Sequence, residues 1–235
     1  KQSEPVIPQK QRKKKCVSII IGFIISLAAQ IYVNVSYKKY KNIENSKGLT
    51  GFDVARKILD ENGLKDIYVT EVRGNLTDHY DPGRKVIRLS TDIFHGKTIA
   101  SSSVAAHEVG HAIQDKEGYS FMRFRSMMFP LVRFSSYGGY IAILVGAIFE
   151  LMDLIWFGIG LEIVILLFQI VTLPVEFNAS SRAKNELAKY NLLNNNEINS
   201  SDKMLRAAAY TYVASVLTTI LQILRLIVMF SDRDN

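Results

Sequence analysis

Four long apolar blocks, separated by charged stretches, constrain this chain more than anything else in it. They occupy residues 16–36, 128–149, 152–173 and 208–230. A bilayer core is spanned by a helix of about 20 apolar residues, and each block has that length. Whole-chain composition decides less: 48% hydrophobic and 22% charged residues fit either a soluble domain or a membrane protein. The clustering of the apolar residues favours the membrane. Residues 128–173 read as a transmembrane hairpin, because only Glu150–Asp153 joins its two helices. Four spans put residues 38–126 and 174–207 on the same side of the bilayer.

The first block has a rival reading as a signal peptide. Lys10, Arg12, Lys13, Lys14 and Lys15 would be its basic start and Ser26-x-Ala28 a weak cleavage signal. The apolar run continues past that point, which favours a retained span. Residues 1–15 are expected to be a basic disordered tail. The net charge of +7 suits basic flanks on a membrane protein. No basic stripe interleaved with aromatics appears, so nucleic acid is set aside as a partner. A lone cysteine, Cys16, excludes an internal disulfide and a cysteine zinc site.

The polar region between the first two spans carries local folding signals. Thr50 and Asp53 have capping-box spacing, Val54, Ile58 and Leu59 share one helical face, and Gly63 is the stop. Ile67–Val72 and Lys85–Leu89 read as strands, with a turn at Asp81-Pro82-Gly83. The second strand is expected to be free to pair edge-on with an extended peptide. Ser90, Thr91 and Asp92 then prepare a helix.

That helix carries His107-Glu108-Val109-Gly110-His111. Residues four apart share a helical face, so both imidazoles can reach one metal ion, with Glu108 beside them. This is the H-E-x-x-H pattern of zinc hydrolases. Its surroundings, Val104, Ala105, Ala106 and Ala112, are small and apolar, as a packed helix requires. Such a site takes a third protein ligand and keeps one position for water. Ala112, Ile113, Gln114 and Asp115 follow His111, so the short metzincin continuation is absent. Glu176 is the best distant candidate. It lies about three residues past the third span, or roughly 5 Å of helix. It also reads as a first-turn acid complementing a helix dipole. Pro174 before it suits a helix start or a kink. Small residues at Ala179 and Ser180 would let this segment approach the histidine helix. Glu162 is a rival carboxylate but lies mid-span. Glu162 and Arg225 are ionisable residues inside spans at similar depth, and a pairing between them is one expectation.

Several separate runs then carry a resemblance. They are Gly48-Leu49-Thr50-Gly51, Ala55-Arg56-Lys57-Ile58-Leu59, Leu76-Thr77-Asp78-His79-Tyr80-Asp81-Pro82, Ala105 to Gln114, and Thr172-Leu173-Pro174-Val175-Glu176-Phe177-Asn178-Ala179-Ser180. Together they resemble the YugP family of bacterial membrane zinc metallopeptidases, over residues 46–230. The resemblance implies an α+β membrane protein, mainly α-helical, with about four transmembrane helices. It also implies a small zincin-like metallopeptidase core with a short β-sheet. That core would occupy residues 46–126, and the helical segment 174–207 would bring the third ligand. Zn²⁺ would be held by His107, His111 and Glu176, with Glu108 as the catalytic base. Related peptidases often place an Asp four residues beyond the ligand Glu. Here that position is Ser180, so Asn178 or Ser180 would support the ligands instead. His79, Tyr80 and Arg182 are candidates for stabilising the oxyanion.

The expected function is therefore a zinc metalloendopeptidase of the cell membrane, multi-pass, with the lipid bilayer and membrane-associated protein or peptide substrates as partners. A non-catalytic zinc scaffold is the alternative, although a closed structural site has no use for Glu108. The loops disagree on orientation. Basic residues before the first span put the site outside. Arg123, Arg125, Arg182, Lys184, Lys189, Lys203 and Arg206 put it in the cytoplasm, which is favoured.

Overall fold

The structure is a computed structural model describing residues 9–231, with side chains over 20–231. Residues 1–8 of the expected basic tail lie outside the described residues. Among the described residues, seven α-helices and three strands follow in order: α1 Gln9–Lys41, α2 Gly51–Glu61, β1 Tyr68–Val72, β2 His79–Asp81, β3 Val86–Ser90, α3 Thr91–Phe94, α4 Ile99–Lys116, α5 Ser120–Ile148, α6 Met152–Lys189 and α7 Asn195–Ser231. The protein is an α+β membrane protein, mostly helical, with a small sheet.

Among the described residues, four helices are long and apolar enough to cross a bilayer, those containing Ile20–Lys41, Ser120–Ile148, Met152–Lys189 and Asn195–Ser231. The last three overrun the expected apolar blocks, so each carries polar turns beyond its hydrocarbon segment. Pro174 lies inside α6, which does not restart there. The proline removes one backbone N–H from the helix ladder without ending it.

The chain divides into two compact units. Among the described residues, the first contains 9–30, 127–170 and 212–231. Its core is Ile155, Ile159, Ile223, Leu226 and Phe230, from α6 and α7. Phe23, Phe129, Phe134, Ile141, Ile148 and Phe157 remain exposed. So many outward aromatics and aliphatics would be a liability in water. The acyl chains of a bilayer would solvate them.

The second unit contains residues 31–126 and 171–211. Its core gathers Val54, Ile58 and Leu59 from α2, Ile87 and Leu89 from β3, Val109 and Ile113 from α4, and Leu187 from α6. The capping box at Thr50 is formed in both directions, and Gly63 takes the left-handed conformation at φ 68° that ends α2. The sheet order is β1-β3-β2. β1 pairs with β3 in parallel, Tyr68 opposite Val86 and Val72 opposite Ser90. β2 pairs with β3 antiparallel, His79 opposite Arg88. This corrects the expectation of an open edge at Lys85–Leu89. The strand there is central and buried, and the free edges belong to β1 and β2. The alternation of Val86, Ile87 and Leu89 marked a strand. It could not show that the three-residue strand at His79–Asp81 covers its flank.

Candidate metal centre

The site is built on the close approach of α4 and α6. Thr98 caps α4, its hydroxyl accepting from the Ser101 amide at 3.1 Å. Ala105, Ala106, Val109 and Ala112 are buried, as small side chains on a tightly packed helix should be. Ser103 is also buried, and its Oγ donates to the Ile99 carbonyl at 2.6 Å and meets Ser201 Oγ at 2.7 Å. The closest approach falls at Gly110. A Cβ there would stand 2.6 Å from the Ala179 carbonyl oxygen of α6. No residue larger than glycine lets the two backbones come this near.

Three side chains converge across that contact. His107 Nε2 lies 3.3 Å from Glu176 Oε2, and His111 Nε2 lies 3.7 Å from the same oxygen. The three donor atoms fall within 4.8 Å of one another. Ligands bound roughly 2.0–2.2 Å from a tetrahedral ion stand about 3.4 Å apart, and the two histidine–glutamate separations are close to that. The three side chains retain exposures of 16%, 11% and 6%, enough for entry and too little for a solvated surface cluster.

The hydrogen bonds behind the histidines fix which nitrogen faces the site. Gln114 is fully buried. Its amide nitrogen donates to the Val175 carbonyl at 2.8 Å and to Asn178 Oδ1 at 2.9 Å. The carbonyl can only accept, so the Gln114 oxygen must face His111, 3.0 Å from its Nδ1. In the neutral ring, Nδ1 then carries the proton and Nε2 keeps the lone pair that a metal needs. Asn178 is oriented in turn by Arg182, whose Nε donates to Oδ1 at 2.7 Å. Arg182 also donates to Glu117 at 2.6 Å. Ser180 Oγ lies 3.2 Å from His107 Nδ1, so each ring has a partner on the side away from Glu176.

Glu176 is held from its other oxygen. Arg125, near the start of α5, reaches Oε1 at 3.4 Å, leaving Oε2 for the histidines. Glu108 is 8% exposed, and its charge acts on the His111 ring. Burial acts to lower the His111 pKa. The hydrogen bond to Glu176 and the charges of Glu108 and Glu176 outweigh it, and the net shift is upward from 6.5. The charge environment is thus one that welcomes a cation.

Other sequence candidates stand elsewhere. His79 lies on edge strand β2, with Nδ1 2.7 Å from the Thr77 carbonyl oxygen and Nε2 3.3 Å from Arg88 Nη1. Tyr80 donates to Asp115 at 2.8 Å, and burial together with that carboxylate raises its pKa. Arg182 connects to His111 through Asn178 and Gln114. Two contacts escaped the sequence reading. Gln114 could have been found, since it follows His111 by three residues on the same helical face. Arg125 had no local signal, because its contact spans α5 and α6.

A family profile described as "putative neutral zinc metallopeptidase" matches residues 15–231. A curated relative from Bacillus subtilis (strain 168), named "Putative membrane protease YugP", is 46% identical over 211 residues, covering 89% of this chain and 94% of that protein. No solved structure matches. With both matches running along nearly its whole length, the chain belongs to the YugP family of membrane zinc metallopeptidases.

Proposed function

We propose that this chain is a zinc-dependent endopeptidase of the membrane that cuts membrane proteins or membrane-proximal segments. The observation carrying the proposal is the convergence of His107 Nε2, His111 Nε2 and Glu176 Oε2, with a buried glutamate beside them. Zinc, when bound, supplies an acidified water and polarises the scissile carbonyl.

The chain's own residues do the rest. His107, His111 and Glu176 would hold the ion. Ser180 and Gln114 fix the imidazole rings, and Asn178 and Arg182 fix Gln114. Arg125 holds Oε1 of Glu176 and leaves Oε2 facing the imidazoles. Glu108 accepts the proton of the attacking water and delivers it to the leaving amine nitrogen. Among the described residues, no hydrogen bond engages its carboxylate, so it is available as a base. Glu176 follows the apolar run of α6 within about three residues, which supports substrates close to the bilayer surface. The basic residues around the site favour a cytoplasmic orientation.

The test compares purified wild-type protein with Glu108→Gln. Zinc content should stay the same while peptide cleavage falls by roughly 10²–10⁴-fold. Identical behaviour of the two forms would refute the enzyme reading. Equal turnover of a substrate with and without a membrane tether would remove the preference for membrane-proximal substrates.

A further inference from the structure

The membrane-spanning unit contains a second candidate site. A cavity of about 350 Å³ opens between α1, α5, α6 and α7. That volume is within the range of roughly 300–1,000 Å³ seen for small-molecule sites. Phe23, Ile143, Leu221 and Leu226 give it apolar walls, and Glu162 of α6 and Arg225 of α7 both line it. Glu162 is 9% exposed, and among the described residues its carboxylate takes no hydrogen bond or ion pair. The Arg225 Nε is buried without an acceptor. The pairing expected from their similar depth is not made. An unpaired charge in hydrocarbon is costly, so ionisable residues in spans face a partner or a functional cavity.

Position limits what can enter. Glu162 lies ten residues from the start of α6 and Arg225 six from the end of α7. At 1.5 Å per residue, these are depths of about 15 and 9 Å. The cavity therefore sits within the leaflet on the side of the Phe149–Leu151 turn, where the abundant molecules are lipids. An occupant must present a cation with N–H donors to Glu162, an anion to Arg225, and an apolar body to the walls. Guanidinium groups hold phosphate through paired donors. A primary ammonium offers three donors to a carboxylate, and a quaternary one offers none.

We propose that this cavity binds a zwitterionic phospholipid with an ethanolamine headgroup, its ammonium on Glu162 and its phosphate on Arg225. The test uses the full chain, reconstituted in choline-phospholipid vesicles doped equally with ethanolamine and glycerol phospholipids. Retained lipid is counted by native mass spectrometry. One ethanolamine lipid per chain is expected, retained about tenfold above the other two, a difference of about 1.4 kcal/mol. Glu162→Gln should abolish the preference over glycerol phospholipid, and Arg225→Gln should abolish retention. Among the described residues, neither change removes a hydrogen bond or an ion pair, and circular dichroism checks that both variants fold. If either does not fold, the three-lipid comparison on the wild-type chain decides alone. Equal retention of all three lipids, no retained lipid, or folded variants that keep the preference would overturn the proposal.

Discussion

Replacing Gly110 with alanine tests whether the close approach of α4 and α6 sets the metal geometry. The added Cβ would meet the Ala179 oxygen at 2.6 Å, and its carbonyl carbon and Cα at 3.2 Å each. Ordinary contact begins near 3.4 Å, so the helices must part by about 0.8 Å. Backbone atoms cannot rotate out of the way as a flexible side chain would. His107 and His111 flank the substitution on one helix, and Glu176 precedes Ala179 by three residues on the other. Metal–ligand distances tolerate only about 0.2 Å. Overpacking of this kind costs roughly 1–3 kcal/mol. Expressed wholly in zinc binding, that is a loss of about 5- to 150-fold in affinity. Alanine is the better helix former by up to about 1 kcal/mol, so α4 itself should stay helical. Competition against a chromophoric chelator reads the affinity, and circular dichroism reads the helix. Gly160→Ala, where an added Cβ meets nothing within 4 Å, is the silent control. Zinc affinity within about twofold of wild type in Gly110→Ala, with intact helix, would refute the reasoning.

Three further outcomes are expected. Gln114→Ala frees the His111 ring and should weaken zinc binding by roughly 10–100-fold, whereas unchanged binding would show that the ring needs no orienting partner. Arg125→Met releases Oε1 of Glu176 and should shift the visible spectrum of the cobalt-substituted protein, with partial recovery in Arg125→Lys; an identical spectrum in all three forms would dismiss the contact. In the metal-free protein, the raised His111 pKa keeps the ring protonated to a pH above 6.5. Its pairing with Glu176 therefore stabilises that form at low pH and is lost as pH rises through the folded value. Zinc must displace the same proton, so zinc affinity should climb with pH across and above 6.5, and a flat profile there would contradict the shift.

What the sequence made legible was local. His107 and His111 follow from one helical repeat, Thr50 and Asp53 from one cap, and the spans from apolar length. Each needs only residues a few positions apart. The approach of Glu176 was legible in part, through the small residues Ala179 and Ser180, and the family resemblance added to it. Contacts between distant segments were not legible. Arg125 and Glu176 are fifty-one residues apart and belong to different helices. The central position of β3 depends on a strand of three residues, too short to show a period. Pro174 was ambiguous because a proline both starts helices and bends them. Here the flanking apolar and small residues carry α6 through it.

The spacing of the ligands also bears on the order in which the protein is made. His111 and Glu176 are separated by sixty-five positions, and α5 and most of the apolar length of α6 lie between them. At translation rates of about 5–20 residues per second, the carboxylate emerges roughly 3–13 s after the second imidazole. Throughout that interval the nascent chain has two of its three proposed ligands and no means of closing the set. Competence for hydrolysis would thus be a property of the finished chain, acquired only once the hairpin of α5 and α6 has been synthesised, and unavailable to any product truncated before Glu176.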